Sequence, residues 1–293
     1  MLKGQLIKKV IEKLQYWHLL DRLSDETYLK IMYWKNLNKK LDLRNPKSFN
    51  EKLQWLKLYD RKPEYTTMVD KYAVKQYVAE KIGDQYIIPN LGVWDSFDEI
   101  DFNMLPNQFV LKCTHDSGGV VICKDKSTLD IEAAKSKIER SLKNNYYMRS
   151  REWPYKNVKP RIIAEAYMED DQTEELRDYK LYCFAGKVKM LLIVTERGKG
   201  STKGDYFDRD GKHLDLTWGF PHANVEPKIP ECFDKMIQLA ELLASDIKDV
   251  RVDFYYINGK IYFGEITFFD GSGFQKIEPY EWDLRLGSWI SKI

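Results

Sequence analysis

The chain has 293 residues, 43% hydrophobic and 31% charged, the composition of a globular protein with room for one large or two ordinary domains. Its 47 Lys and Arg against 45 Asp and Glu leave a net charge of +2, which argues against nucleic acid as a partner. No apolar run approaches the ~20 residues that span a bilayer and no signal peptide is visible, so the expected location is the cytoplasm.

In chain order, residues 1–44 read as two helices. Leu6, Ile7, Val10, Ile11, Leu14 and Trp17 recur at helical spacing among Lys3, Lys8, Lys9 and Lys13. Such a basic amphipathic helix either docks on its own domain or makes a peripheral contact with an anionic membrane. Ser48 and Glu51 have capping-box spacing and open a helix to about Tyr59. A further helix is predicted over 66–82, stopped by Gly83, then a short strand at 86–88. Residues 108–114 and 120–123 read as strands about a Gly-rich turn, and 129–144 as a helix. The aromatic and basic stretch 145–160 is either a mobile lid or an ordered surface crossing. Residues 161–168 form a strand, 178–196 a hairpin about Ala185-Gly186, 197–205 a mobile segment and 230–244 a helix. Cys113, Cys123, Cys183 and Cys232 form no CxxC pair and read as small core residues of a reducing compartment.

The most informative stretch is the last hairpin, 250–269, two β-branched and aromatic runs about Asn258-Gly259. Each run carries one acid among apolar neighbours, Asp253 and Glu265. A buried carboxylate needs a positive partner, and two on paired strands point to a divalent cation or to Lys and Arg pairs at a sheet edge. Parity decides whether they meet. A plain two-residue turn sets Asp253 opposite Gly264. A three-residue loop with Gly259 left-handed in a bulge, or an equivalent register shift, puts Asp253, Glu265 and Thr267 on one face. Upstream, Lys112 ends an apolar strand just before Ser117-Gly118-Gly119. Glycine lets backbone amides approach phosphate and lysine adds a point charge, although an ordinary hairpin would read the same way.

Together, Phe49-Asn50-Glu51-Lys52-Leu53-Gln54-Trp55, Asp70-Lys71-Tyr72, Asp178-Tyr179-Lys180 and Phe263-Gly264-Glu265-Ile266-Thr267-Phe268 resemble the TupA-like ATP-grasp family of bacterial surface-polysaccharide clusters. The resemblance implies an α+β ATP-grasp fold, two lobes clasping ATP, with a helical N-terminal extension. The implied division is an extension over 1–60, a linker or helical lobe over 61–107, and ATP-grasp lobes over 108–168 and 169–293. It also implies that Lys71 and Lys112 face the phosphates, that Ser117, Gly118 and Gly119 fold over them, and that Glu165, Ala166, Tyr167 and Met168 supply contacts to adenine. Asp253 and Glu265 would hold Mg²⁺. Thr267 stands where such proteins usually carry Asn, and it still offers an oxygen. Lys180, Arg197 and Arg251 are candidates for the γ-phosphate or the acceptor.

The implied activity is ATP-dependent ligation of a carboxylate, such as a sugar acid of a cell-surface polysaccharide, to an amine through an acyl phosphate. A kinase or a glycosyltransferase in the same cleft is the alternative, and a catalytically silent nucleotide-binding partner is a third class.

Overall fold

The first helices follow from apolar spacing and from caps. In the computed structural model, which describes residues 2–171, 176–197 and 201–290, α1 (Leu2–Tyr16) and α2 (Asp25–Leu37) pack around Ile11, Tyr28, Leu29 and Tyr33. α3 (Phe49–Tyr59) opens with the complete capping box: Ser48 Oγ accepts from the Glu51 amide, and the Glu51 carboxylate accepts from the Ser48 amide at 3.0 Å.

The single helix expected over 66–82 is broken into α4 (Glu64–Val69) and α5 (Ala73–Ile82). Asp70 causes the break. Its Oδ1 accepts from the Tyr72 and Ala73 amides at 2.9 and 3.2 Å, a local side-chain turn that competes with the helical ladder. The Lys71 amide then donates to the Thr114 carbonyl, which ties Lys71 to the Gly-rich hairpin. The strand expected at 86–88 moves downstream: Asp84–Tyr86 is a 3₁₀ turn and β1 is Asn90–Trp94.

β2 (Phe109–Cys113), β3 (Val120–Cys123) and α6 (Ile131–Leu142) fall where the pattern puts them. The stretch 145–160 is the ordered crossing rather than an open lid. It holds α7 (Tyr146–Ser150) and a 3₁₀ turn at Trp153–Asn157, with Tyr147, Arg151 and Glu152 buried. β4 (Ile162–Ala166) completes a four-stranded antiparallel sheet of order β1-β4-β2-β3, with α6 against it over Phe109, Leu111 and Ile162.

The second sheet starts with the hairpin of β5 (Asp178–Phe184) and β6 (Lys187–Thr195), whose turn residues Ala185 and Gly186 take φ of 49° and 74°. There follow β7 (Lys203–Asp208), β8 (Thr217–Trp218), α8 (Phe233–Leu243), β9 (Asp249–Ile257), β10 (Lys260–Thr267), β11 (Ile277–Glu278) and α9 (Tyr280–Trp289). The five-stranded order is β10-β9-β5-β6-β7, all antiparallel, and β8 pairs with β11. Of the segment expected to be mobile, residues 198–200 lie outside the described residues and 203–205 begin β7.

α8 covers one face of this sheet, and α3 packs on α9. The Asn50 amide and side chain both donate to Asp283 at 3.0 and 3.2 Å. Gly287 lies so close to the Lys47 carbonyl that a Cβ would fall 2.2 Å from it. Antiparallel sheets with helices segregated to their faces make the fold α+β. No helix among the described residues is long and apolar enough to cross a membrane.

Candidate functional site

The last hairpin brings its two acids together by a register shift, not by a bulge at Gly259. The turn is the two-residue Asn258-Gly259, both left-handed at φ 49° and 77°, with Ile257 paired to Lys260. Gly259 forms no bulge. The register shifts instead between Phe263 and Glu265, so that Gly264 is the extra residue and Glu265 lies directly opposite Asp253. Glycine suits that position because a Cβ would sit 3.1 Å from the Asp253 carbonyl. Thr267, on the same face, lies opposite Arg251.

Cross-strand register extends this face. Glu265, Asp253, Lys180, Leu192 and Tyr206 form one row across all five strands; Thr267, Arg251, Tyr182 and Met190 form the next. Arg251 grips Asp253 through Nε and one terminal nitrogen at 2.7 and 2.8 Å, reaches Glu265 Oε1 at 2.8 Å, and also pairs with Asp270. Lys180 pairs with the second Asp253 oxygen. Thr267 Oγ1 donates to Glu265 Oε1 at 3.3 Å. Burial alone would raise the Asp253 carboxyl, but Arg251 and Lys180 outweigh it and hold that group below its ordinary range. Asp253 is 1% exposed, whereas the Glu265 side chain is 43% exposed, so Glu265 is the acid that meets solvent. The Lys and Arg pairing left open by the sequence is thus present.

The other lobe presents cations. Lys112 of β2 and Lys75 of α5 each lie 2.5 Å from a separate oxygen of Glu165 on β4. Burial would raise Glu165, yet these two lysines keep its carboxyl below the usual value. Lys71 Nζ donates to the Asp116 carbonyl. Burial lowers its ammonium pKa, while the carboxylates of Glu265 and Asp116 pull the other way.

A cleft of about 620 Å³ lies between the lobes. It is lined by Lys71, Lys75, Lys112 and Ser117 from one side, by Glu165, Ala166, Tyr167 and Met168 along its wall, and by Lys180, Arg197, Asp253 and Glu265 from the other. Arg251 and Thr267 stand behind the two acids rather than on the lining. Gly118 and Gly119 do not line it either. At Gly119 a Cβ would fall 2.3 Å from Ser141 Oγ and 2.7 Å from Cys113 Sγ, so that glycine answers to packing. Sequence reasoning passed over Lys75, in the first turn of α5 just after Lys71. It also passed over Asp178, which pairs with Arg197 at 2.6 Å, and Tyr255 beside it in register.

Cations facing carboxylates across a cleft between two α+β lobes make a site suited to a polyphosphate and its counter-cation. The sequence matches the family described as TupA-like ATPgrasp over residues 51–291, and the chain belongs to that family. Its fold is the ATP-grasp fold. Similar solved structures include D-alanine–D-alanine ligase from Bacillus anthracis complexed with ATP, at 15% identity and a TM-score of 0.44, covering 77% of this chain and 66% of that one. The same ligase from Helicobacter pylori matches at 16% and 0.42, covering 85% and 70%. An ADP complex of N5-carboxyaminoimidazole ribonucleotide synthetase matches at 13% and 0.44, covering 74% and 50%. The chain thus spans half to just over two thirds of the length of these structures. No curated protein matches it. Family membership supports ATP as the nucleotide.

Proposed function

We propose that the protein is an ATP-dependent carboxylate–amine ligase that modifies a bacterial cell-surface polysaccharide or its precursor. The observation that carries this reading is the in-register pair Asp253 and Glu265, facing Lys71 and Lys112 across one cleft. A triphosphate needs dispersed cations on one side and a bound divalent ion on the other.

The donor set fits magnesium: oxygen ligands only, two carboxylates opposed on adjacent strands, and a hydroxyl fixing one of them. Asp253 and Glu265 would hold the ion, with Thr267 orienting Glu265. Bound there, magnesium neutralises phosphate charge and polarises the γ-phosphate.

The chain's own groups supply the rest. Lys112 and Lys75, charged and held by Glu165, meet phosphate oxygens, with Lys71 beside them. Tyr167 and Met168 flank the base. Lys180 offsets charge on the transferred phosphoryl group, Arg251 holds Asp253 and Glu265 in place from behind the lining, and Arg197 faces the acceptor end. In the first step a substrate carboxylate oxygen bonds to the γ-phosphorus as the bridge to ADP breaks. In the second an amine bonds to the acyl carbon, inorganic phosphate leaves and the nitrogen loses a proton. A kinase would stop after one transfer to a hydroxyl, and a glycosyltransferase would not consume ATP.

The test is mass spectrometry of products from ATP, Mg²⁺ and a panel of sugar acids with amino acids, with and without hydroxylamine. ADP, phosphate, an amide, and a hydroxamate when hydroxylamine replaces the amine are the expected products. Glu265→Gln should lower turnover by orders of magnitude with the fold intact, because a neutral amide cannot offset a cation's charge. A stable phosphorylated acceptor without hydroxamate would replace the ligase with a kinase.

We further propose that α1 seats the protein on an anionic lipid surface, where such precursors are held. Leu6, Ile7, Val10, Tyr16, Trp17 and Leu19 are exposed large apolar residues on and just after this helix, beside Lys8, Lys9 and Lys13. Apolar insertion with basic flanks is the pattern of an interfacial helix.

A further inference from the structure

We propose that Asp205, His213 and His222 form a binding site for a divalent transition-metal ion of the Zn²⁺ class, separate from the nucleotide cleft. Asp205 lies on the edge strand β7, next to Tyr206. Tyr206 belongs to the row that carries Lys180 and Asp253, so Asp205 points to the opposite face of the sheet. The two imidazoles arrive on returning chain. After β7 the backbone turns at Gly211 and runs back so that His213 bridges Phe207, and the Gly204 amide donates to the Pro221 carbonyl just before His222. His213 Nε2 and His222 Nδ1 end 3.0 and 3.1 Å from the same oxygen, Asp205 Oδ1. The other oxygen accepts from the Ala223 amide at 3.1 Å, which fixes the carboxylate plane.

Charge balance points to a cation. Asp205 is 1% exposed, and no Lys or Arg among the described residues pairs with it. A buried carboxylate without a positive partner is costly, and imidazole is charged only when protonated. A metal ion supplies the missing charge from a position all three groups already face. The three donor atoms lie within 4.8 Å of one another, and metal–ligand bonds of about 2.0–2.2 Å need donors only a little over 3 Å apart. Two imidazoles and one carboxylate suit zinc, cobalt or nickel rather than magnesium. The imidazole side chains are 30% and 34% exposed, which leaves a side open to solvent for entry and for a water ligand. The ion would pin the 208–222 excursion to the sheet edge, and with it Trp218, which is 2% exposed in the main core.

The full chain, stripped with chelator and dialysed, is titrated with Zn²⁺ by calorimetry and with Co²⁺ by visible absorption, and its melting is followed throughout. One equivalent is expected, with a Co²⁺ spectrum of mixed nitrogen and oxygen ligands and a raised melting temperature. The same equivalent should persist in Glu265→Gln, which separates this site from the cleft, and vanish in His213→Ala/His222→Ala. Should the double variant melt early, His222→Gln alone replaces it and should weaken Zn²⁺ binding at least tenfold. No binding by the wild type, retention in the histidine variants, or loss in Glu265→Gln would each overturn the proposal.

Discussion

Glu165 shows how one side chain couples stability to the state of the cleft. It is 6% exposed and receives Lys75 and Lys112 on separate oxygens, and the lysines hold its carboxyl below the ordinary 4.5. Between the folded value and 4.5 the unfolded chain binds more protons than the native one, so stability rises with pH there. The contribution is complete above 4.5 and lost as pH falls through the folded value. Glu165→Gln should therefore lower stability at neutral pH and flatten the acid limb of a plot of urea midpoint against pH. Curves that stay parallel below pH 4.5 would remove Glu165 as the source. The acids were legible as special, as were their partners Lys112, Lys180 and Arg251, whereas Lys75 was not. Asp253 and Glu265 stand out as acids in apolar runs. Lys75 sits in the ordinary helical run Ala73-Val74-Lys75-Gln76-Tyr77 and Asp178 reads only as part of a motif, and the assembled cleft shows what each faces.

At the scale of elements, the capping box is the cleanest local signal, and it cost nothing to read. Ser48→Ala removes an acceptor from the Glu51 amide and should lower stability by about 1 kcal/mol. In a chain of this size that is roughly 2 °C of melting temperature; no shift in a calorimetric scan would refute the cap's role. α1 makes the opposite kind of claim, because its exposed residues do little for the fold. Leu6→Gln/Val10→Gln/Trp17→Gln should leave melting nearly unchanged and abolish co-sedimentation with vesicles containing anionic lipid. Equal sedimentation of wild type and variant, or wild-type binding to neutral vesicles alone, would sink the membrane reading. Elements were legible where side chains spoke for themselves: the repeat of α1 and α2, the Ala185-Gly186 hairpin, the strand of Lys112. β7 was missed because Lys203-Gly204-Asp205 looks polar and loose, and its order comes from pairing with β6. The break at Asp70 was missed because helix periodicity continues on both sides of a side-chain turn. The hairpin's parity was readable, but the place of the bulge was not: Gly259 and Gly264 both offer a glycine, and only packing against Asp253 and Tyr255 distinguishes them.

For the whole molecule, the cleft is a balance of charge between two lobes. Asp253 already has Arg251 and Lys180 as partners, so a bare divalent ion finds the site largely neutralised, whereas ATP brings phosphates to which Lys180, on the cleft lining, can turn. Mg²⁺ alone should therefore shift melting far less than Mg²⁺ with ATP. The latter should add about 2.7 kcal/mol at a hundred times its Kd. Lys112→Ala should shrink the ATP-dependent shift while leaving the unliganded protein folded, and a full shift in that variant would move the phosphates elsewhere.

The contact of α3 with α9 carries a consequence for how the protein is made. Asn50 and Asp283 are 233 positions apart, so at about 5–20 residues per second the ribosome needs on the order of ten to fifty seconds to deliver the second after the first. Throughout that interval the buried side of α3, with Phe49 and Leu53, has no C-terminal helix to close over it. The lobe built on 90–166 has all its strands early and can settle first. The larger lobe cannot be finished until Asp283 has emerged, so the helix that holds the cap is the part of a nascent chain left longest with an uncovered apolar side.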